Sequence, residues 1–249
     1  MLQTPNFEIY HYTENNEVRN RFAQQSEHWY RMHQAVFLDT FKQKNPLLVY
    51  NHHAHFQQTR AIEGEIGVGT GGVTEALKNR VIMPFMESNA ATDHVLGHEM
   101  VHAFQYHLIL DTLSLNAFNN LPLWMVEGLA EYMSIGYIDA HTALWLRSAV
   151  ASNKLPTLKD LTNRPDLYFP YRWGQAFWAY VTGLHGDAVI RRLFIETGRR
   201  GYADAIKYVL GVDEKQFSAN WQQAMRNSYS PLQAGTQAAP IGQRLVDKK

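Results

Sequence analysis

His98 and His102, four residues apart with Glu99 directly after the first, are the residues of this chain best spaced for chemistry. An α-helix turns once every 3.6 residues, so positions i and i+4 share a face about one turn apart, and both imidazoles can reach one metal ion. Glu99 lies about 100° round the same helix. From there it can address a water at the ion without ligating the ion itself. The chemistry so arranged is metal-assisted hydrolysis. With 12 His and 13 Glu in 249 residues, a random chain of this composition shows the pattern roughly 0.03 times, so the match needs support from elsewhere in the chain.

A catalytic zinc ion needs a third protein ligand and one position open to water. The chain has no Cys, which excludes disulfides and thiolate sites and leaves His, Asp and Glu as ligands. The best candidate is Glu127, 25 residues after His102, within Trp124-Met125-Val126-Glu127-Gly128-Leu129-Ala130-Glu131-Tyr132. That interval leaves room for a loop and a returning helix. Glu131 falls one turn further along the same face, where its carboxylate can accept the free N–H of a ligating histidine and fix its tautomer. Gly128 would let the motif helix and this helix approach closely. A pair of Glu at i, i+4 is often only a solvated helix face. The apolar neighbours Trp124, Met125, Val126, Leu129 and Ala130 argue for burial instead, where a carboxylate needs a metal or a partner. His52, His53 and His55 form another dense group. They fall in a strand-like run that would put His53 and His55 on one face and His52 on the other. No carboxylate stands at useful spacing, and they read as ordinary surface or packing histidines.

Other elements must position these groups. Phe7 to Tyr12 alternates like a strand, and Asn15 to about Phe41 suits an amphipathic helix carrying Phe22, Trp29, Met32, Val36 and Phe37. Pro46 to Tyr50 reads as a buried strand, Gly64 to Gly72 as a turn region, and Arg80 to Phe85 as a further strand. Pro84 cannot donate a ladder hydrogen bond, so that strand lies at an edge or ends there. From Asp93 onward the pattern is helical almost throughout. Thr92 or Asp93 offers an N-cap for the motif helix, with Val95, Leu96, Val101, Phe104 and Leu108 on its buried side. A second helix should start near Pro122 and stop at Gly136. Helical patterns recur at 141–153, 170–184, 186–197, 201–210 and 213–228. From Ser230 the composition turns to Pro, Gly, Gln and Ala, as in a linker or tail.

Composition narrows the partners. Lys+Arg 23 against Asp+Glu 23 gives no net charge, so neither nucleic acid nor an anionic membrane is the expected partner. No apolar run approaches the ~20 residues of a membrane-spanning helix. The first residues, Met1 to Asn6, lack the basic and apolar regions of a signal peptide, and the compartment is unknown from the chain itself. A chain of this length can bury one substantial core, or two lobes sharing a cleft.

His98-Glu99-x-x-His102, followed by Pro122-x-Trp124-x-x-Glu127-Gly128-x-Ala130-Glu131-Tyr132, closely resembles the gluzincins, the thermolysin-like zinc metallopeptidases. Within them it looks most like the peptidase MA-like group, whose third ligand sits in a Glu-Gly-x-Ala-Glu-Tyr segment. Tyr171-Arg172-Trp173-Gly174-Gln175-Ala176-Phe177 is similar to that group's Tyr-x-x-Gly-x-x-Phe helix. The resemblance covers roughly residues 80–225. It departs from thermolysin in having Val126 rather than Asn before the third ligand. It departs from the metzincins in lacking Gly and a third His after His102. His107, five past His102, falls off the ligand face and reads as a bystander.

The resemblance implies an α+β zincin (thermolysin-like) fold: a small N-terminal β-sheet with a helix, then a mainly helical C-terminal lobe, with the active site in the cleft between them. It implies one peptidase domain over 1–229, divided near residue 110 into an N-terminal α/β lobe (1–110) and a helical lobe (111–229), with 230–249 as linker or tail. It implies one catalytic Zn²⁺ held by His98, His102 and Glu127, with Glu99 as general base and Glu131 behind a ligand. By the family pattern, Tyr171 supplies the oxyanion donor, with His185 and Tyr137 as weaker options. A peptide or protein substrate would add itself to an edge strand, either Arg80–Phe85 or the Gly67–Val73 stretch. Some relatives are exported and carry an adjoining domain, which implies a periplasmic or secreted setting and a neighbour beyond the tail. Two other readings stand beside hydrolysis of peptides. One is a catalytically silent zinc-binding interaction module, which an intact Glu99 disfavours; the other is a zinc amidohydrolase acting on a non-peptide amide.

Overall fold

The computed structural model describes residues 1–233 and Gly242. Pro231–Gln233 form one 3₁₀ turn; the rest of the expected tail, Gly242 aside, lies outside the described residues. Among the described residues five short strands make one mixed sheet: β1 (Leu2–Gln3), β2 (Phe7–Tyr10), β3 (Asn45–Tyr50), β4 (Val73–Glu75) and β5 (Arg80–Pro84), in the order β1-β2-β3-β5-β4. The inner pairs β2–β3 and β3–β5 are parallel, and the two outer pairs are antiparallel. Side chains alternate between the faces. Phe7, Ile9, Leu47, Val49, Val81 and Met83 join the main core, while Ile82 packs with Phe56 and Ile66 in a small separate cluster.

The first long helix, α1 (Asn16–Phe37), carries the chain from β2 across to its parallel neighbour β3. Asn15 caps it through its side-chain oxygen, which accepts from the N–H groups of Glu17 and Val18. The helix ends four residues before the expected Phe41 because Leu38 turns left-handed, with φ 49°. Its buried face runs through Phe22, Ser26, Tyr30, His33 and Phe37. Met32, expected among the apolar set, is exposed. Two polar residues on the buried face, Ser26 and His33, obscure the stripe in the sequence.

Two expectations are corrected in this half. His53–Phe56 form a short helix, α2, and not a strand, because the turn seats Phe56 against the sheet. Arg80–Phe85 is not an edge strand over its first half: β4, only three residues long, pairs along β5 from Arg80 as far as Ile82. Pro84 is instead the last residue of its strand, lying past the end of β4, where a missing N–H breaks no bond to that neighbour. The edge on this side of the sheet belongs to β4.

The motif helix α3 (Asn89–Thr112) spans about 36 Å at 1.5 Å per residue and is buried along much of its length. Ser88, rather than Thr92 or Asp93, caps it by accepting from the N–H of Ala91. Thr92 lies inside the first turn, accepting from the N–H of Met86, and Asp93 accepts from the indole of Trp29. The sheet and α1 pack on one side of α3, and α5 (Leu123–Ile135) on the other. A short α4 (Ala117–Asn120) joins them. Then follow α6 (Ala140–Ala151), α7 (Leu158–Asn163), α8 (Pro170–His185), α9 (Val189–Arg200), α10 (Tyr202–Leu210) and α11 (Glu214–Tyr229). The architecture is α+β, with a small mixed sheet and a majority of helix.

The tightest helix pair is α5 with α8. A Cβ on Gly128 or on Gly174 would land on the other helix's backbone, so both positions are bare for close approach. The expected role of Gly128 is therefore corrected. It admits α8, whereas α3 meets α5 through larger side chains. Trp178 locks the pair by donating its indole N–H to the carbonyl of Met125 at 2.9 Å.

Candidate metal centre

Three donor atoms converge where α3 faces α5. His98 Nε2 and His102 Nε2 each lie 3.2 Å from Glu127 Oε2 and 3.2 Å from each other. Ligands placed tetrahedrally about an ion at roughly 2.0–2.1 Å lie about 3.3 Å apart, so the triangle has the size of one face of a zinc coordination shell. The other ring nitrogens are turned outward. His102 Nδ1 donates to Gln105 Oε1 at 2.8 Å, and Glu131 Oε1 stands 3.3 Å from His98 Nδ1. With a proton on each Nδ1, both Nε2 lone pairs face the centre.

The charge at the site suits a cation. Burial alone would lower the His98 pKa, but the Glu127 and Glu131 carboxylates bonded to it, together with the charge of Glu99, push it up to about 10. Burial would likewise raise Glu127, and His102 and His98 beside it hold its carboxyl well below the usual carboxylate range. The cluster thus favours positive charge at its centre, as protons on the imidazoles or as a metal cation. A second group, His94, His98 and Glu131, also brings its donor atoms together. There Arg172 already answers the carboxylate, its Nη1 lying 3.1 Å from Glu131 Oε2 and 3.2 Å from Asp139 Oδ2. His98, His102 and Glu127 are the set that fits a metal ion, which would take the place of the imidazole protons and compensate the one carboxylate.

Glu99 is buried on the side of α3 that meets the sheet edge. Its Oε2 accepts from the Thr74 hydroxyl at 2.6 Å, so β4 holds the carboxylate in place. The strand can pass this close because Gly72 has no side chain; a Cβ there would meet Glu99 at 2.7 Å. Tyr171, near the start of α8, stacks on His98 with ring centroids 5.7 Å apart and planes at 12°. Burial, and then the negative charge of Glu127, raises its pKa above the usual phenol value. It therefore stays a hydrogen-bond donor at neutral pH. The weaker options stand elsewhere. His185 is exposed at the far end of α8, about 21 Å along the helix. Tyr137 is exposed and lines a separate cavity between α6, α8 and α11. His107 pairs with Asp39 at 2.6 Å, away from the donors.

The structure thus brings His98, Glu99, His102, Glu127, Glu131 and Tyr171 to one place. It adds four residues that the sequence did not single out: Thr74 on Glu99, Gln105 on His102, and His94 and Arg172 on Glu131. Only Gln105 and His94 left a trace, standing i+3 and i−4 from a motif histidine. Behind the site, α1 braces α3. Trp29 donates to Asp93 at 3.0 Å, and His33 Nε2 donates to the carbonyl of Gly97 at 3.0 Å. Burial lowers the His33 pKa to about 4, so this brace is neutral.

The family model described as Peptidase MA superfamily matches residues 33–227. This reaches further toward the N-terminus than the motif resemblance, taking in the end of α1 and the strands β3, β4 and β5 but not β1 or β2. No curated protein and no solved structure matches the chain.

Proposed function

We propose, for a chain that belongs to the Peptidase MA superfamily, the activity of a zinc-dependent metallopeptidase of the gluzincin type, with residues 1–229 as its peptidase domain. The observation that carries the reading is the convergence of His98 Nε2, His102 Nε2 and Glu127 Oε2 on one point, with the charge of the buried Glu99 acting on both imidazoles. Zinc held by these three residues supplies Lewis acidity toward a water and toward the scissile carbonyl. Glu99, aimed by Thr74 through Oε2, keeps Oε1 for the water's proton and then delivers that proton to the leaving amine. The Tyr171 hydroxyl donates to the oxygen on which negative charge develops. Gln105 and Glu131 hold the two imidazoles in the tautomer that presents Nε2.

The free edge of β4 runs past Glu99 and offers backbone groups to an extended peptide, which would lie as an added strand along Gly72–Glu75. The seating of Glu99 by Thr74 favours an active enzyme over a silent zinc-binding module, because a site that only binds metal has no use for an aimed base. Metal analysis with a peptide-library cleavage assay tests the proposal. One zinc per chain, with cleavage abolished by chelator and restored by zinc, is the expected result. Zinc bound stoichiometrically without cleavage of any peptide would overturn it.

A further inference from the structure

We infer that the cavity between α6, α8 and α11 binds a small uncharged two-ring molecule that carries one hydroxyl. The cavity shares no residue with the converging donors of the metal centre, and it stands whether or not the chain cleaves peptides. It encloses about 300 Å³. A cavity of roughly 150 Å³ holds a benzene ring, so this one takes two fused rings. Leu146, Trp221 and Met225 give it buried apolar surface. Tyr180 and Tyr229, partly buried beside them, favour an aromatic guest.

Two polar groups in the wall call for the hydroxyl. Thr142 is only 4% exposed, and its Oγ1 has no hydrogen-bond partner. A threonine inside a helix ordinarily bonds the carbonyl four residues back. Thr142 is the third residue of α6, so the residue four back, Ile138, precedes the helix and that route is closed. Gln175, 1% exposed, commits its Nε2 to the carbonyl of Gly136 at 2.8 Å, and among the described residues its Oε1 accepts nothing. A hydroxyl on the guest can accept from Thr142 and donate to Gln175, and an unsubstituted ring can do neither. Charge is disfavoured with either sign. Asp139, the one charged residue of the lining, already accepts from the Thr142 N–H at 2.6 Å and meets Arg172 Nη1 at 3.2 Å. An anion would face that carboxylate and a cation would face that guanidinium, each while losing its hydration.

The test is equilibrium dialysis of the full chain against 2-naphthol, naphthalene and 2-naphthoate at neutral pH. The naphthol should bind about tenfold tighter than naphthalene, and the naphthoate about tenfold or more weaker than the naphthol. Thr142→Val keeps the shape and removes the hydroxyl. It should leave naphthalene binding unchanged and bring the naphthol to within about threefold of it. Because that hydroxyl has no partner in the fold, the unfolding midpoint of Thr142→Val should stay level or rise. Ala179→Leu from α8 and Ala224→Leu from α11 put a larger side chain into the cavity from two walls. Whichever of the two keeps the parent's cooperative melt should bind the naphthol about tenfold or more weaker. Equal affinity for naphthol and naphthalene, no binding of either, naphthoate bound as tightly as naphthol, or binding untouched by the filling variants overturns the site.

Discussion

Two groups of histidines stand about 45 residues apart in this chain, and they come to opposite ends. At His98 and His102 a long buried helix stacks two imidazoles on one face, and a second helix brings Glu127 against both. At His52, His53 and His55 the histidines are as dense, and two of the rings lie closer, with centroids 3.7 Å apart for His52 and His55. There His53 donates to the carbonyl of Thr70, His55 pairs with the Tyr12 hydroxyl, and among the described residues no ion pair joins the group to a carboxylate. Histidine density is therefore not what makes a metal site. A rigid periodic element to aim the donors and a desolvated carboxylate to complete them are what distinguish the first group.

Removing the carboxylate should erase that distinction. In Glu127→Ala, zinc should fall from one equivalent to near zero under moderate chelator, and kcat/KM by about three orders of magnitude or more. Metal content measured after dialysis decides this, and full retention would point to a different third ligand. Glu99→Gln probes the other half of the site: the metal should stay stoichiometric while turnover falls by about 10²- to 10⁴-fold. A variant that cleaves at the original rate would remove Glu99 from the role of base. Gln105→Leu removes the acceptor that orients His102 together with the donor to the Val126 carbonyl, so zinc affinity should drop by about 10- to 100-fold, read by competition with a chromophoric chelator. The smallest effect belongs to the other group. His52→Ala with His55→Ala, both exposed, should leave the zinc equivalents unchanged and move stability by roughly 0.5 kcal/mol or less. A lost equivalent there would show that the second group does bind metal.

The features legible in the sequence are those encoded by helix periodicity over many residues. His98, His102 and Glu127 sit on long helices, and apolar neighbours mark Glu127 as buried. The groups that hold them are set by how separate elements meet. Thr74 reaches Glu99 only because a three-residue strand at the sheet edge crosses the helix over a bare Gly72. Arg172 meets Glu131 across 41 residues of chain. No local spacing records either contact. Short elements failed for another reason. Four residues at His53–Phe56 fit a strand as well as a turn of helix, and burial of Phe56 decides between them. In the same way β4 and α4 are too short to show a period.

The contact of Gly128 with Gly174 also bears on motion. With two backbones touching and Trp178 tied to Met125, α5 and α8 cannot slide or rotate past each other without unpacking. Glu127 and Tyr171 therefore ride on a single rigid body, while His98, Glu99 and His102 ride on another. Any widening of the gap between α3 and α5 withdraws Glu127 and Tyr171 from His98 and His102 in one movement, and closing the gap returns both together. A metal ion held by His98, His102 and Glu127 would be a strap across that gap, keeping the two helices in register.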